Sequence, residues 1–233
     1  MKLNIACATN VFPRPWINID RSDVETDYFK HIRGLAPEQM HGWPEEQVQH
    51  VRWLNEGKLV FVQRDLRKGF PDYADGSIEA IYAGQMIEHL QPNTEAPAFL
   101  AECFRMLKPG GRIRLTTPDL DLLIRAYNDA DMEPASLSDY VNEQPEYYRD
   151  ALEEDKLAYI MYGAGGTDER YEGHQHLYTW RSLASRLRAA RFFVSDLVGG
   201  SMDRNFDSEP SPVFADCIDK GMSHSFSLEG VKP

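Results

Sequence analysis

Three short apolar runs, KLVFVQRD at 58–65, IEAIYA at 78–83 and RIRLT at 112–116, alternate with segments whose apolar residues recur at helical spacing. Runs this brief and this continuously apolar read as strands buried on both faces, and strands that alternate with helices predict a mostly parallel sheet. Residues 2–7 and WINID at 16–20 add two strands before them, and FVSDLV from Phe193 to Val198 and SFSLEGV at 225–231 add two after. The expectation is therefore an α/β fold with a seven-stranded, mostly parallel sheet and helices on both faces. Between the first two strands lies only ATNVFPRP, shorter than the roughly dozen residues of an ordinary crossover helix, so the first crossover is clipped.

Helices are expected at Glu45–Asn55, stopped by Gly57, from a cap at Asn93 or Thr94 to the turn Pro109-Gly110-Gly111, at Pro118–Asn128, and at Thr179–Ala190. Between about Asp129 and Gly173 the pattern changes to mixed acidic and aromatic residues, with a helix expected from Glu146 to Tyr162. This segment reads as an insertion within one domain of 233 residues.

Composition removes several classes of function. No apolar run approaches the roughly 20 residues that cross a bilayer, and MKLNIACATN lacks the apolar core of a secretory signal, so a cytoplasmic protein without membrane association is expected. Cys7, Cys103 and Cys217 are odd in number and unpaired in spacing, against both a disulfide framework and a zinc ribbon. A net charge of −12 disfavours phosphate-rich partners, so no nucleic acid is expected and a small-molecule acceptor is.

Ligands of such sheets bind beyond the carboxyl ends of the strands. There the sequence places Ala6-Cys7-Ala8 after the first strand, Asp20 after the second, Asp65-Leu66 after the third, Gln85-Met86 after the fourth and Asp119 after the fifth. A carboxylate after the second strand can accept both hydroxyl hydrogens of a ribose, and one after the third can accept an exocyclic amine. Each alone is equally a solvated turn residue. Together they outline an adenosine.

The segments DLRKGFPDYADGSIEAIYAGQMIEHL, FRMLKPGGRIRLTTPDL and HLYTWRSLASRLRAARF, in that order, resemble the Rossmann-like class I S-adenosylmethionine-dependent methyltransferases, above all the small bacterial branch associated with polysaccharide and natural-product biosynthesis. The most specific pairing is EHL followed by LKPGG. The resemblance implies that S-adenosylmethionine is bound and S-adenosylhomocysteine released, with Ala6, Cys7 and Ala8 under the methionine part, Asp20 on the ribose, Asp65 and Leu66 at the adenine, and Gln85 and Met86 along the cofactor. The family usually has Gly-x-Gly at the first turn, where this chain has alanines. Glycine serves there either through positive φ or through close ligand approach, and only the second role tolerates alanine cheaply.

Methyl transfer from a sulfonium asks mainly for alignment and exclusion of water, so the acceptor is less legible than the donor. His89, His174 and His176 are candidate bases, with an orienting role the favoured reading of His89. The x-spacing of His174 and His176 supplies no third ligand at a recognisable interval, and no metal is expected. Tyr148, Arg149, Arg170 and Tyr178 are candidate acceptor-binding residues, and the 129–173 insertion reads either as an acceptor-binding lid or as a hairpin packed on the sheet or on a second subunit, which leaves a homodimer open. The expected activity is O-methylation of a small metabolite or sugar-derived intermediate. A noncatalytic partner protein with a decayed cofactor turn is the alternative, and a nicotinamide oxidoreductase a weaker one, since the G-x-G-x-x-G turn is missing.

Overall fold

The computed structural model describes residues 1–7, 10–21, 27–43, 45–128, 152–162, 173–194, 211–215, 217 and 225–233. Its strands are β1 (Lys2–Ile5), β2 (Trp16–Asp20), β3 (Phe61–Gln63), β4 (Ile78–Gly84), β5 (Leu107–Pro118) and β6 (Ser225–Val231). The helices are α1 (Asp27–Ile32), α2 (Glu45–Asn55), α3 (Glu95–Met106), α4 (Leu120–Asn128), α5 (Glu153–Tyr162) and α6 (Trp180–Ala189). The sheet order is β3-β2-β1-β4-β5-β6, parallel throughout except for β6, which runs antiparallel to β5. The order reverses between β1 and β4, which makes their carboxyl ends the crevice of the sheet.

Six strands are found among the described residues where seven were expected. Of the run Phe193–Val198, Phe193 makes a single bridge to Val231, and residues 195–200 lie outside the described ones. β3 is also shorter than the apolar run at 58–65. It is an edge strand with β2 as its one neighbour, and β2 itself ends at Asp20, where Arg64 N still donates to Asp20 O (2.6 Å).

The sequence LKPGG does not act as a simple stop between α3 and the next strand. β4 pairs Ile78 with Leu107 and then Ala80 with Arg112, so Lys108 to Gly111 form an excursion within β5. The excursion is tied to the chain beyond β6: Gly110 N donates to Lys232 O (2.8 Å) and Lys232 N to Gly111 O (2.9 Å).

Strand periodicity divides the core. Leu3, Ile5, Ile19, Ile81 and Ala83 face the main cluster, where α3 contributes Ala96, Phe99, Leu100, Cys103 and Met106, spaced at helical period, and α6 contributes Leu183, Ala184 and Leu187. α6 begins at a capping box, with Ser182 N donating to Thr179 Oγ1 (3.1 Å) and Thr179 N to Ser182 Oγ (2.9 Å). On the opposite face, Phe12, Trp16, Ala80, Tyr82, Phe214 and Cys217 form an aromatic cluster, so around β1 and β4 that face is covered by side chains from the clipped crossover and the short turn Pro212–Phe214.

The clipped crossover is held by buried asparagines. Asn18 Nδ2 donates to Phe12 O (2.9 Å) and Val60 O (3.1 Å), while its Oδ1 accepts from Phe12 N (2.9 Å) and Asn4 Nδ2 (2.9 Å). Asn4 Nδ2 also donates to Asn10 O (2.6 Å). A side-chain amide offers the same donor and acceptor pair as a peptide group, so Asn18 meets Phe12 as a neighbouring strand would. This is how residues 10–12 lie buried with no helix to satisfy their backbone.

β5 and β6 are joined by a buried ion pair. Arg114 is fully buried and its Nη1 lies 3.1 Å from Glu229 Oε1, directly opposite in the register.

Candidate functional site

Two non-glycine residues in the left-handed region flank the point where the strand order reverses: Ala6 (φ 55) after β1 and Gln85 (φ 52) after β4. A Cβ in this region costs about 1–2 kcal/mol. At Ala6, then, the turn uses positive φ, the role of glycine that alanine fills only with strain. Ala6→Gly is expected to stabilise the fold by about 0.5–1 kcal/mol, the relief of strain outweighing the greater freedom of the unfolded chain. Thermal denaturation of the variant checks this; a fall in Tm contradicts it.

Around this turn the side chains divide between core and crevice. The Cys7 side chain is buried with Val11, Ile32, Met40, Val48 and Val51, and that of Met86 with the main core. Gln85 directs its amide to Ser225 Oγ (2.9 Å), and its backbone N–H donates to Thr116 O (2.7 Å). Ala8 lies outside the described residues.

Asp20 ends β2 opposite Gln63 of β3, and Asp65 follows two residues later, so both carboxylates stand at one edge. An open cleft beyond these ends is lined by Arg21, Gln63, Arg64, Asp65 and Lys68. Asp65 caps a short turn through Leu66–Lys68: Oδ1 accepts from Arg67 N (3.1 Å) and Arg67 Nε (3.3 Å). Burial pushes its carboxyl up, but the bonds and charge of Arg67 outweigh it and hold the pKa below the usual carboxylate range. An ionised Asp65 keeps Oδ2 to accept from an amine. Leu66, half-buried, packs on the main core beside it. The fit to an adenosine therefore lies in an ionised acceptor at the β3 end and a second carboxylate at the β2 end.

The second group of polar residues sits past β4. Glu88 is fully buried in the short turn Ile87–His89, and burial pushes its carboxyl up to about 8 against the opposing pull of the Thr117 hydroxyl and the nearby backbone N–H groups of Glu88 and Met86. Thr117 Oγ1 donates to Glu88 Oε2 (3.1 Å). The carbonyl of Glu88 accepts from Gln175 N (2.7 Å) and His176 N (3.1 Å), which brings residues 174–176 to the end of β4. The His89 and His174 rings meet edge to face at 4.9 Å. Burial, then the neighbouring His89, lowers the His174 pKa to about 4, so this imidazole is neutral at pH 7.

His176 packs against Tyr178 at 4.7 Å, and burial with the nearby Arg186 charge lowers its pKa. Tyr178 itself is fully buried in the main core, and its backbone forms a bridge to Asp119. Tyr148, Arg149 and Arg170 lie outside the described residues. Of the 129–173 insertion, α5 is described, and Ile160 packs with Leu123 and Ala126 of α4 and with Leu177. Sequence spacing gave no sign of the Glu88–His89–His174 grouping, because its members come from turns far apart in the chain.

Residues 27–115 match the profile of a family described as a methyltransferase domain. This segment runs from α1 through β4 and the Glu88–His89 turn into β5. No curated protein matches the sequence. Among solved structures, the chain is similar to the methyltransferase in complex with the Haloferax volcanii Trm112 methyltransferase activator (12% identity, 100% of this chain and 82% of that one, TM-score 0.48). It is also similar to S-adenosylmethionine-dependent methyltransferases from Mesorhizobium loti (11% identity, 99% and 89%, TM-score 0.47) and Aquifex aeolicus (10% identity, 100% and 81%, TM-score 0.44). Among the described residues no helix is long and apolar enough to cross a membrane.

Proposed function

We propose that the chain transfers a methyl group from S-adenosylmethionine to an oxygen of a small metabolite or sugar-derived acceptor. The observation that carries this reading is the match of residues 27–115 to a methyltransferase domain, on a sheet in which β2 ends in Asp20 and Asp65 lies two residues past β3. When bound, the cofactor supplies an electrophilic methyl on a sulfonium, attacked in line by the acceptor while the C–S electrons pass to sulfur. The chain's residues bind and orient: Asp20 accepts from the ribose hydroxyls, Asp65 Oδ2 accepts from the adenine amine, and the strained turn at Ala6 lays the β1 end against the ligand.

Beyond β4, His89 and His174 stand where an acceptor reaches the crevice, and a neutral imidazole there receives the proton that a hydroxyl gives up. A net charge of −12 supports an acceptor that is not a nucleic acid. The small bacterial biosynthetic branch that the EHL and LKPGG segments resemble supports the metabolite or sugar class.

Calorimetry with S-adenosylmethionine and S-adenosylhomocysteine tests the reading. Saturable binding of both is expected. Folded protein that gives no heat with either at high micromolar ligand would overturn it, in favour of a noncatalytic protein built on this sheet.

A further inference from the structure

Glu88, His89 and His174 each bring one potential ligand atom to within 4.8 Å of the other two. No metal was expected because His174 and His176 have no third ligand near them in sequence; folding supplies two, from the turn after β4.

The state of each donor is informative. Glu88 is fully buried, Thr117 holds its Oε2, and Oε1 has no hydrogen-bond partner among the described residues. A buried carboxyl oxygen left without a partner is costly, and a cation taking the place of the acid proton would meet it. His174 Nδ1 lies 2.8 Å from Ile160 O. A carbonyl only accepts, so Nδ1 carries the hydrogen and Nε2 the lone pair. A histidine whose one nitrogen donates to a backbone carbonyl while the other carries the lone pair has the outer-shell arrangement of a metal ligand.

The spacing of the group is set by main chain. His174 N donates to Tyr162 O (2.8 Å), Gln175 and His176 donate to the Glu88 carbonyl, and a Cβ on Gly173 would overlap the carbonyl of Tyr162. Only glycine lets the segment approach α5 this closely.

We infer that Glu88, His89 and His174 bind a divalent first-row transition cation. Two imidazoles and one carboxylate, with the remaining positions open, form a set used by catalytic zinc and by non-haem iron(II). Bonds of about 2.0–2.2 Å place donors about 3.0–3.5 Å apart, so the widest pair closes by about 1.5 Å, within the reach of side-chain torsions. The open positions take oxygen ligands, and a hydroxyl bound there loses its proton more readily. The cation would thus do the work assigned above to a neutral imidazole, but its binding does not depend on the proposed methyl transfer.

The test uses the chelator-treated full chain, titrated with Zn²⁺ in a calorimeter and with Co²⁺ in the visible spectrum. One equivalent of Zn²⁺ is expected to bind, with Co²⁺ giving the intense absorption of a low-symmetry nitrogen and oxygen site. Glu88→Gln and His174→Gln should each weaken Zn²⁺ by at least about tenfold, and His176→Gln should leave it unchanged. Imidazole nitrogen spectra of the unmutated protein give an answer free of any folding defect in the variants: of seven histidines, His89 and His174 should take metal-bound shifts. Absence of binding by folded protein at millimolar Zn²⁺ and Co²⁺ overturns the inference, as does metal that shifts other histidines or persists in both variants.

Discussion

Asn18→Ala is expected to destabilise the fold by about 3–5 kcal/mol, a fall in Tm on the order of 10 °C for a chain of this size. Three buried groups lose their contact at once, Phe12 N, Phe12 O and one hydrogen of Asn4 Nδ2, while Val60 O loses one of two donors and keeps the backbone N–H of residue 18 (2.8 Å). Each orphaned group costs about 1 kcal/mol or more, and water has no easy way to the site, since Asn4, Phe12 and Asn18 are all buried. Asn18→Asp separates hydrogen bonding from volume. It keeps the shape but loses both donors and faces a carboxylate toward two carbonyls, so it should be no better tolerated than alanine. Denaturant titration of both variants measures the loss; a change below about 1 kcal/mol in each would show that the crossover has another support.

Asp20→Ala is expected to weaken S-adenosylhomocysteine binding by about 100-fold or more while leaving the fold intact. Two hydroxyl bonds to a charged acceptor contribute about 1.5–3 kcal/mol each, and about 1.4 kcal/mol corresponds to tenfold in Kd. Asp20→Asn retains one acceptor and should fall between the two. Calorimetry reads both; an unchanged Kd removes Asp20 from the cofactor site while leaving the rest of the proposal standing.

The strand β2 and the helix α2 have the bounds that their apolar patterns imply, and β6 does too, because each pattern is local and each element buries the residues that make it. The position of Asp20 at the end of β2 was also readable, since a strand end can be located from the run before it, whereas β3 stops two residues short of Asp65. What the sequence hides depends on tertiary contacts. Asn4 and Asn18 look like ordinary polar residues until burial turns them into backbone partners. Cys7, Met86 and Tyr178 follow strand or bridge positions, but only the packing shows that their side chains are buried in the core. Ala6 takes positive φ although its type disfavours it, which no propensity reveals. Glu88 and His174 become neighbours through two hydrogen bonds to one carbonyl, a relation without any trace in spacing.

That carbonyl works as a latch. Because the Glu88 oxygen receives two amides from the segment that follows the insertion, the end of β4 and the approach to α6 are registered by atoms every residue possesses. The geometry of this corner is thereby written in the polymer more than in its substituents. The side chains of Gln175 and His176 are free to diversify the chemistry presented to an acceptor without resetting the frame, whereas at Gly173, where there is no room for even a methyl group, drift would spring the latch.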